Sequence, residues 1–271
     1  HTGTTCGNTG ADSIGDYDND GYLDFAVIGA ETGSLTVKIY ENNGSMSFSD
    51  VSASVGPFAY IIYGAVNFVD YDRDGDLDLF ATGLTTSSGR LHKLYRNNGN
   101  KTFTDVSSGD GLPSFFDACA AWCDYNTDGY PDMLISGSNE DNSNYTYVYS
   151  NDGDGTFTSA GESMTGLRLG PSVAWGDYNA DGKPDAVIVG ATNGATATPI
   201  GKVYSNGGSA NSAPAAPSGL TATMQNATEV LLSWSAASDT QTPSAALTYN
   251  VYVGTSSGGV QKVTCMAKTS T

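Results

Sequence analysis

A nine-residue, aspartate-rich segment occurs four times in this chain at near-constant spacing, and that regularity constrains the fold more than any other feature. The copies are DYDNDGYLD from Asp16, DYDRDGDLD from Asp70, DYNTDGYPD from Asp124 and DYNADGKPD from Asp177, with starts 54, 54 and 53 residues apart. The flanking sequence keeps the same register. An apolar residue stands two before each segment (Ile14, Phe68, Trp122, Trp175), and a glycine ends the apolar run that follows it (Gly29, Gly83, Gly137, Gly190). A tyrosine comes next, at Tyr40, Tyr95, Tyr149 and Tyr204, leading into an Asn/Asp-Gly turn. In three repeats a phenylalanine lies four residues past the turn glycine, at Phe48, Phe103 and Phe157. Internal periods of this length indicate propellers, solenoids or arrays.

Each unit reads as four short strands. The first runs into the Asp segment, as in VAWGDYN, and the second leaves it as an apolar run, as in DFAVIGA or DAVIVGA, of a length that suits a buried strand. The third carries the tyrosine. A hairpin through Asn43-Gly44, Asn98-Gly99 or Asp152-Gly153 leads to a fourth around the phenylalanine, because Asn-Gly and Asp-Gly suit the positive-φ turns of tight hairpins. Gly, Ser, Thr, Asn and aromatic residues dominate, favouring β-structure with many turns, and no segment shows helical periodicity. The expected fold is all-β, with propeller-type blades of four strands. The segments and their flanks resemble the FG-GAP/VCBS repeats of integrin-α-like β-propellers over about residues 11–208. Propellers of that family are usually seven-bladed, whereas this chain supplies four units and lacks a clear outer strand after Gly207. Three arrangements stay open: a fragment, a closed four-blade ring, or a ring completed by another chain.

The spacing D-x-[D/N]-x-D-G-x-x-D places side-chain oxygens at positions 1, 3, 5 and 9, with a backbone carbonyl expected from position 7. Calcium takes six to eight hard oxygen ligands, and a glycine at position 6 permits the sharp turn around it. The first set is Asp16, Asp18, Asp20 and Asp24 with the Tyr22 carbonyl; the second is Asp70, Asp72, Asp74 and Asp78 with the Asp76 carbonyl. The third is Asp124, Asn126, Asp128 and Asp132 with the Tyr130 carbonyl; the fourth is Asp177, Asn179, Asp181 and Asp185 with the Lys183 carbonyl. Soft ligands are absent, which disfavours zinc and copper, and magnesium wants stricter octahedral geometry. About four calcium ions, one per loop, are therefore expected in a structural role, where binding energy becomes folding energy. The chain carries 29 Asp plus Glu against 11 Lys plus Arg, a net charge of −18. Four such ions would bring it to about −10, so much of the acidity is ligand charge.

Beyond the repeats, residues 209–217 are rich in Ser, Ala and Pro and read as a linker. Residues 218–271 resemble the first strands of a fibronectin type III sandwich, with Trp234 in LLSWSAA and Tyr249 and Tyr252 in the next strand. They are too few for a whole module, so a partial β-sandwich is expected, with an open edge that invites pairing with another chain. The chain opens at His1 without Met or a signal peptide and reads as a mature or trimmed product. Cys119 and Cys123, four apart on one strand, read as small buried thiols; a Cys6–Cys265 bridge tying the ends is an option. Sequons at Asn43, Asn100, Asn144 and Asn226 would mark surface positions in a glycosylating host.

The acidity argues against nucleic acid or an anionic membrane surface as partner, and no apolar run is long enough to span a membrane. Catalytic motifs are lacking: His1 is terminal, His92 is expected at a surface strand position, and no nucleophile elbow, HExxH or phosphate loop occurs. Trp122 and Trp175 fall at a repeat position and read as blade core. These features point to a non-enzymatic extracellular, secreted or cell-surface module for adhesion or structure, with a protein or glycan ligand at the cell surface. Self-assembly through its unfinished ends is a further expectation. The second reading is a lectin, or the propeller of a polysaccharide-degrading enzyme.

Overall fold

In a computed structural model the chain is built almost wholly of antiparallel strands. The structure describes residues 3–5, 11–31, 34–45, 47–85, 89–139, 143–161, 164–192, 197–208, 212–226, 230–240, 242, 244, 247, 249–252 and 262–267. It divides into two compact units, one of residues 1–126 and 130–208, the other of residues 127–129 and 209–271.

The first unit contains four successive sheets. Blade 1 comprises β1 (Gly3–Thr5), β2 (Ala11–Gly15), β3 (Asp24–Glu31), β4 (Ser34–Asn42) and β5 (Phe48–Asp50), followed by a single helical turn, α1 (Ser52–Val55). Blade 2 comprises β6 (Ile62–Val69), β7 (Asp78–Leu84), β8 (Arg90–Asn97) and β9 (Phe103–Asp105). Blade 3 comprises β10 (Phe116–Cys123), β11 (Asp132–Ser138), β12 (Asn144–Asn151) and β13 (Phe157–Ser159). Blade 4 has three strands among the described residues, β14 (Leu169–Gly176), β15 (Asp185–Ala191) and β16 (Pro199–Tyr204). Strands within each sheet follow chain order as meanders. The arrangement is that of a four-blade, propeller-like array, with β2 packed against β6, β6 against β10 and β10 against β14.

The core lies between blades. Ile28, Val37 and Ile39 of blade 1 bury against Val66, Phe68 and Leu79 of blade 2. Phe80 and Leu94 of blade 2 meet Ala118, Met133 and Phe157 of blade 3. Leu134 and Val148 of blade 3 meet Val173 and Ile188 of blade 4. In blades 2 and 3 the glycine near the end of the second strand has a steric cause. The first strands carry a register shift near their starts, between Ile62 and Ala65 in β6 and between Phe116 and Cys119 in β10. A Cβ on Gly83 would fall 2.3 Å from the Ile62 carbonyl oxygen, and one on Gly137 2.9 Å from that of Phe116. The repeated tyrosine has a cause as well: the Tyr95 hydroxyl accepts the Ala59 N–H at 2.8 Å, and that of Tyr204 accepts the Thr165 N–H at 2.9 Å.

Two sequence expectations need correction. Cys119 is disulfide-bonded rather than a free buried thiol, while Cys123 is free; Cys6 of the suggested Cys6–Cys265 pair lies outside the described residues. His92 is not a surface residue. Its side chain is mostly buried, with Nε2 3.1 Å from Asp110 and Nδ1 3.0 Å from Ser114 Oγ. The second unit holds two antiparallel hairpins, β17 (Ser218–Met224) with β18 (Val230–Ser235) and β19 (Tyr249–Tyr252) with β20 (Lys262–Ala267). A small cluster of Ala237, Leu247 and Tyr249 packs against Trp234.

Candidate metal centre

Every Asp segment forms the loop between the first and second strands of its blade, and the backbone takes the same path each time. Position 4 is left-handed in all four loops, at Asn19, Arg73, Thr127 and Ala180, with φ of 60°, 63°, 65° and 59°. That conformation costs an L-residue about 1–2 kcal/mol. Its recurrence at four unlike side chains shows that the loop imposes it. The glycines at position 6 (Gly21, Gly75, Gly129, Gly182) also have positive φ.

The Asp at position 9 anchors the loop. Asp24, Asp78, Asp132 and Asp185 are all fully buried. In each, Oδ2 accepts the backbone N–H of the loop tyrosine (Tyr17, Tyr71, Tyr125, Tyr178) at 2.9–3.2 Å. Oδ1 accepts the backbone N–H of the hairpin asparagine (Asn42, Asn97, Asn151, Asn206) at 2.7–2.8 Å. Position 1 receives the glycine N–H, as from Gly21 to Asp16 at 2.9 Å, Gly75 to Asp70 at 3.2 Å and Gly182 to Asp177 at 2.9 Å. The carboxylate at position 5 turns to the N–H of position 7: Asp20 to Tyr22, Asp74 to Asp76 and Asp181 to Lys183.

Within this frame the structure brings together Asp16, Asp18 and Asp24 in loop 1, and Asp70, Asp72 and Asp78 in loop 2. Each trio offers carboxylate oxygens within 4.8 Å of one another. Asp20 and Asp74 stand outside these trios. Loops 3 and 4 form no such acidic trio among the described residues, because position 3 is Asn126 or Asn179. The crowding is electrostatically costly. Burial, reinforced by Asp18 and Asp20, pushes the Asp24 carboxyl up to about 6. Burial, reinforced by Asp72, Asp74 and Asp70, pushes Asp78 up to about 9. In loop 1 one cation is already at hand: the Lys101 ammonium, from the blade 2 hairpin, lies 2.5 Å from Asp18 and 3.2 Å from Glu41. The donor set is carboxylate and amide oxygen throughout, half-buried and mutually repelling. It fits a hard divalent cation such as calcium.

Residues whose roles the loop pattern did not reveal tie blades to one another. The hairpin asparagine reaches back to the preceding blade: Asn97 Nδ2 donates to the Tyr17 carbonyl at 2.7 Å, Asn151 to Tyr71 at 2.8 Å and Asn206 to Tyr125 at 2.7 Å. The loop tyrosine ring receives an aromatic from the next blade, Tyr17 against Phe68 and Phe103, and Tyr125 against Trp175. Their only signal in sequence is constancy of position. Ser114, His92 and Asp110 have the composition of a charge-relay set, but Thr146 holds the His92 register in blade 3 and donates to the Thr165 carbonyl at 2.9 Å. That position ties the incoming segment to the third strand.

An FG-GAP-like repeat model matches residues 16–81 and 124–188. Each match opens on the first residue of an Asp loop and ends in the strand after the next loop, so each spans two loops. The chain thus carries FG-GAP-like repeats built as a four-blade, propeller-like array. No curated protein sequence matches it significantly. No described helix is long and apolar enough to cross a membrane.

Proposed function

We propose that the chain is a calcium-stabilised, non-enzymatic extracellular module serving adhesion or structure, with a protein ligand. The observation that carries this reading is the pair of carboxylate trios, oxygens within 4.8 Å, inside loops of one backbone shape. Asp16, Asp18 and Asp24 would hold one ion and Asp70, Asp72 and Asp78 another. Asp124, Asn126 and Asp132, and Asp177, Asn179 and Asp185, would hold ions with one less charge. The ion would supply positive charge between the carboxylates; the chain's own N–H groups already orient positions 1 and 9. Extracellular calcium concentrations suit sites of modest affinity, and FG-GAP-like propellers are in general non-catalytic binding modules.

Thermal unfolding in calcium and in excess EGTA tests the proposal. Saturating one site about a hundredfold adds about 2.7 kcal/mol, so chelation should lower Tm by about 5–10 °C for a single coupled site. Equal Tm in calcium and EGTA, or a response to zinc but not calcium, would refute it.

A further inference from the structure

Blades 2 and 3 each end on a short outer strand that begins with phenylalanine. Phe157 sits opposite Asn151 in β13, with Thr158 opposite Ser150 and Ser159 opposite Tyr149. Its buried ring packs against Tyr71 at 6.2 Å and Trp122 at 5.8 Å, within a cluster that includes Leu94, Met133 and Tyr149. Phe103 of β9 sits on Tyr17 at 5.8 Å in the same way. In blade 4 the register puts Tyr125, Val148, Trp175, Ala186 and Tyr204 at the positions held by Tyr71, Leu94, Trp122, Met133 and Tyr149. Among the described residues no strand pairs with the outer edge of β16. Those five side chains, with Met164, instead line an open cleft of about 150 Å³.

The turn into a missing strand is half built. Gly208 N–H donates to Asn206 Oδ1 at 2.9 Å, as Gly153 does to Asn151 at 3.0 Å. The edge also carries a charge in waiting. Lys38 pairs with Asp50 at 3.0 Å and Lys93 with Asp105 at 2.5 Å, each joining the third strand to the residue two beyond the outer phenylalanine. Lys202 occupies that position in β16, where it donates to the Thr165 hydroxyl and lies beside Tyr204, with no carboxylate partner among the described residues.

We propose that the cleft and the outer edge of β16 form a binding site for an extended peptide strand supplied in trans, of the type Phe-Thr/Ser-Asp. The phenylalanine fills the cleft opposite Asn206, the backbone adds to the β16 edge, and the Asp pairs with Lys202. Main-chain hydrogen bonds give such strand addition its affinity and the side-chain pocket its specificity. A sugar suits the cleft less well, because its polar groups are engaged. Asn206 donates from Nδ2 to the Tyr125 carbonyl and accepts at Oδ1, and Ser205 Oγ takes Asn179 Nδ2.

The test uses the whole chain in calcium and a fluorescein-labelled peptide of residues 98–107, NGNKTFTDVS, read by fluorescence anisotropy. Saturable binding is expected, weakened at least about tenfold by Phe103→Ser in the peptide. Lys202→Met in the protein should weaken it about two- to fivefold, as for an exposed ion pair. Met164→Glu should abolish it; if that variant does not fold, the peptide pair still decides. No saturation by about 1 mM, an affinity too weak to sustain a specific contact, would overturn the proposal. So would equal binding of the Phe103→Ser peptide, or binding of a glycan panel without binding of the peptide.

Discussion

At the scale of single residues, the invariant loop positions divide into those that hold the backbone and those left for a cation. The buried Asp at position 9 spends one oxygen on its own loop and one on the hairpin two strands away. Asp78 therefore links three segments before any metal is considered. The glycine after the second strand is equally structural, since a Cβ at Gly83 would sit 2.3 Å from a backbone oxygen that no rotamer change can move. Gly83→Ala should destabilise the protein by about 1–3 kcal/mol through overpacking, measured by urea unfolding in calcium. A loss under about 0.5 kcal/mol, the level of an ordinary surface change, would mean that the β6 register shift relaxes freely.

At the scale of the element, each loop is a turn with like charges forced together, and its pH response should reveal that. Asp24 and Asp78 have folded-state values raised to about 6 and about 9, against about 3.9 when unfolded. A carboxyl raised on folding stabilises fully below its unfolded value, and that contribution is lost as pH rises through the folded value. In EGTA the Tm should therefore fall between about pH 4 and 9 through these groups. Asp78→Asn, which stays neutral, should flatten the upper part of that fall, whereas in calcium it should cost stability. A metal-free Tm that climbs steadily over the same range would contradict the burial of these carboxylates. The loops were legible in sequence because their spacing is chemistry written in consecutive residues. The clasp from Asn97 to the Tyr17 carbonyl was not, because it joins residues 80 positions apart. Nor was the latch of His92 on Asp110, which depends on how the incoming segment folds back over β8. The disulfide at Cys119 was misjudged because its partner is not on the same strand.

At the scale of the whole molecule, the repeat period marked four units of short strands and left the closure of the ring open, and the structure adds how unlike the terminal blades are. Tyr17 and Tyr71 are 1% and 5% exposed beneath the next blade, whereas Tyr178 of blade 4 is 63% exposed. Phe48 of blade 1 is 44% exposed, while Phe103 and Phe157 are buried on the preceding blade's tyrosine. Stability thus rests on three interblade cores, each joined at the rim by a loop and its clasp. Those loops hold fifteen of the aspartates behind the −18 net charge, so two kinds of repulsion act on the fold. The diffuse repulsion among exposed charges more than a Debye length apart, about 8 Å at 0.15 M, is screened by salt. Oxygens within 4.8 Å of one another lie inside that length, where mobile ions screen weakly. Sodium chloride at about 0.5 M should therefore recover only a minor part of the Tm lost in EGTA, whereas millimolar calcium recovers it all. Full recovery by sodium chloride would show that diffuse net charge, rather than coordination within the loops, is what calcium relieves.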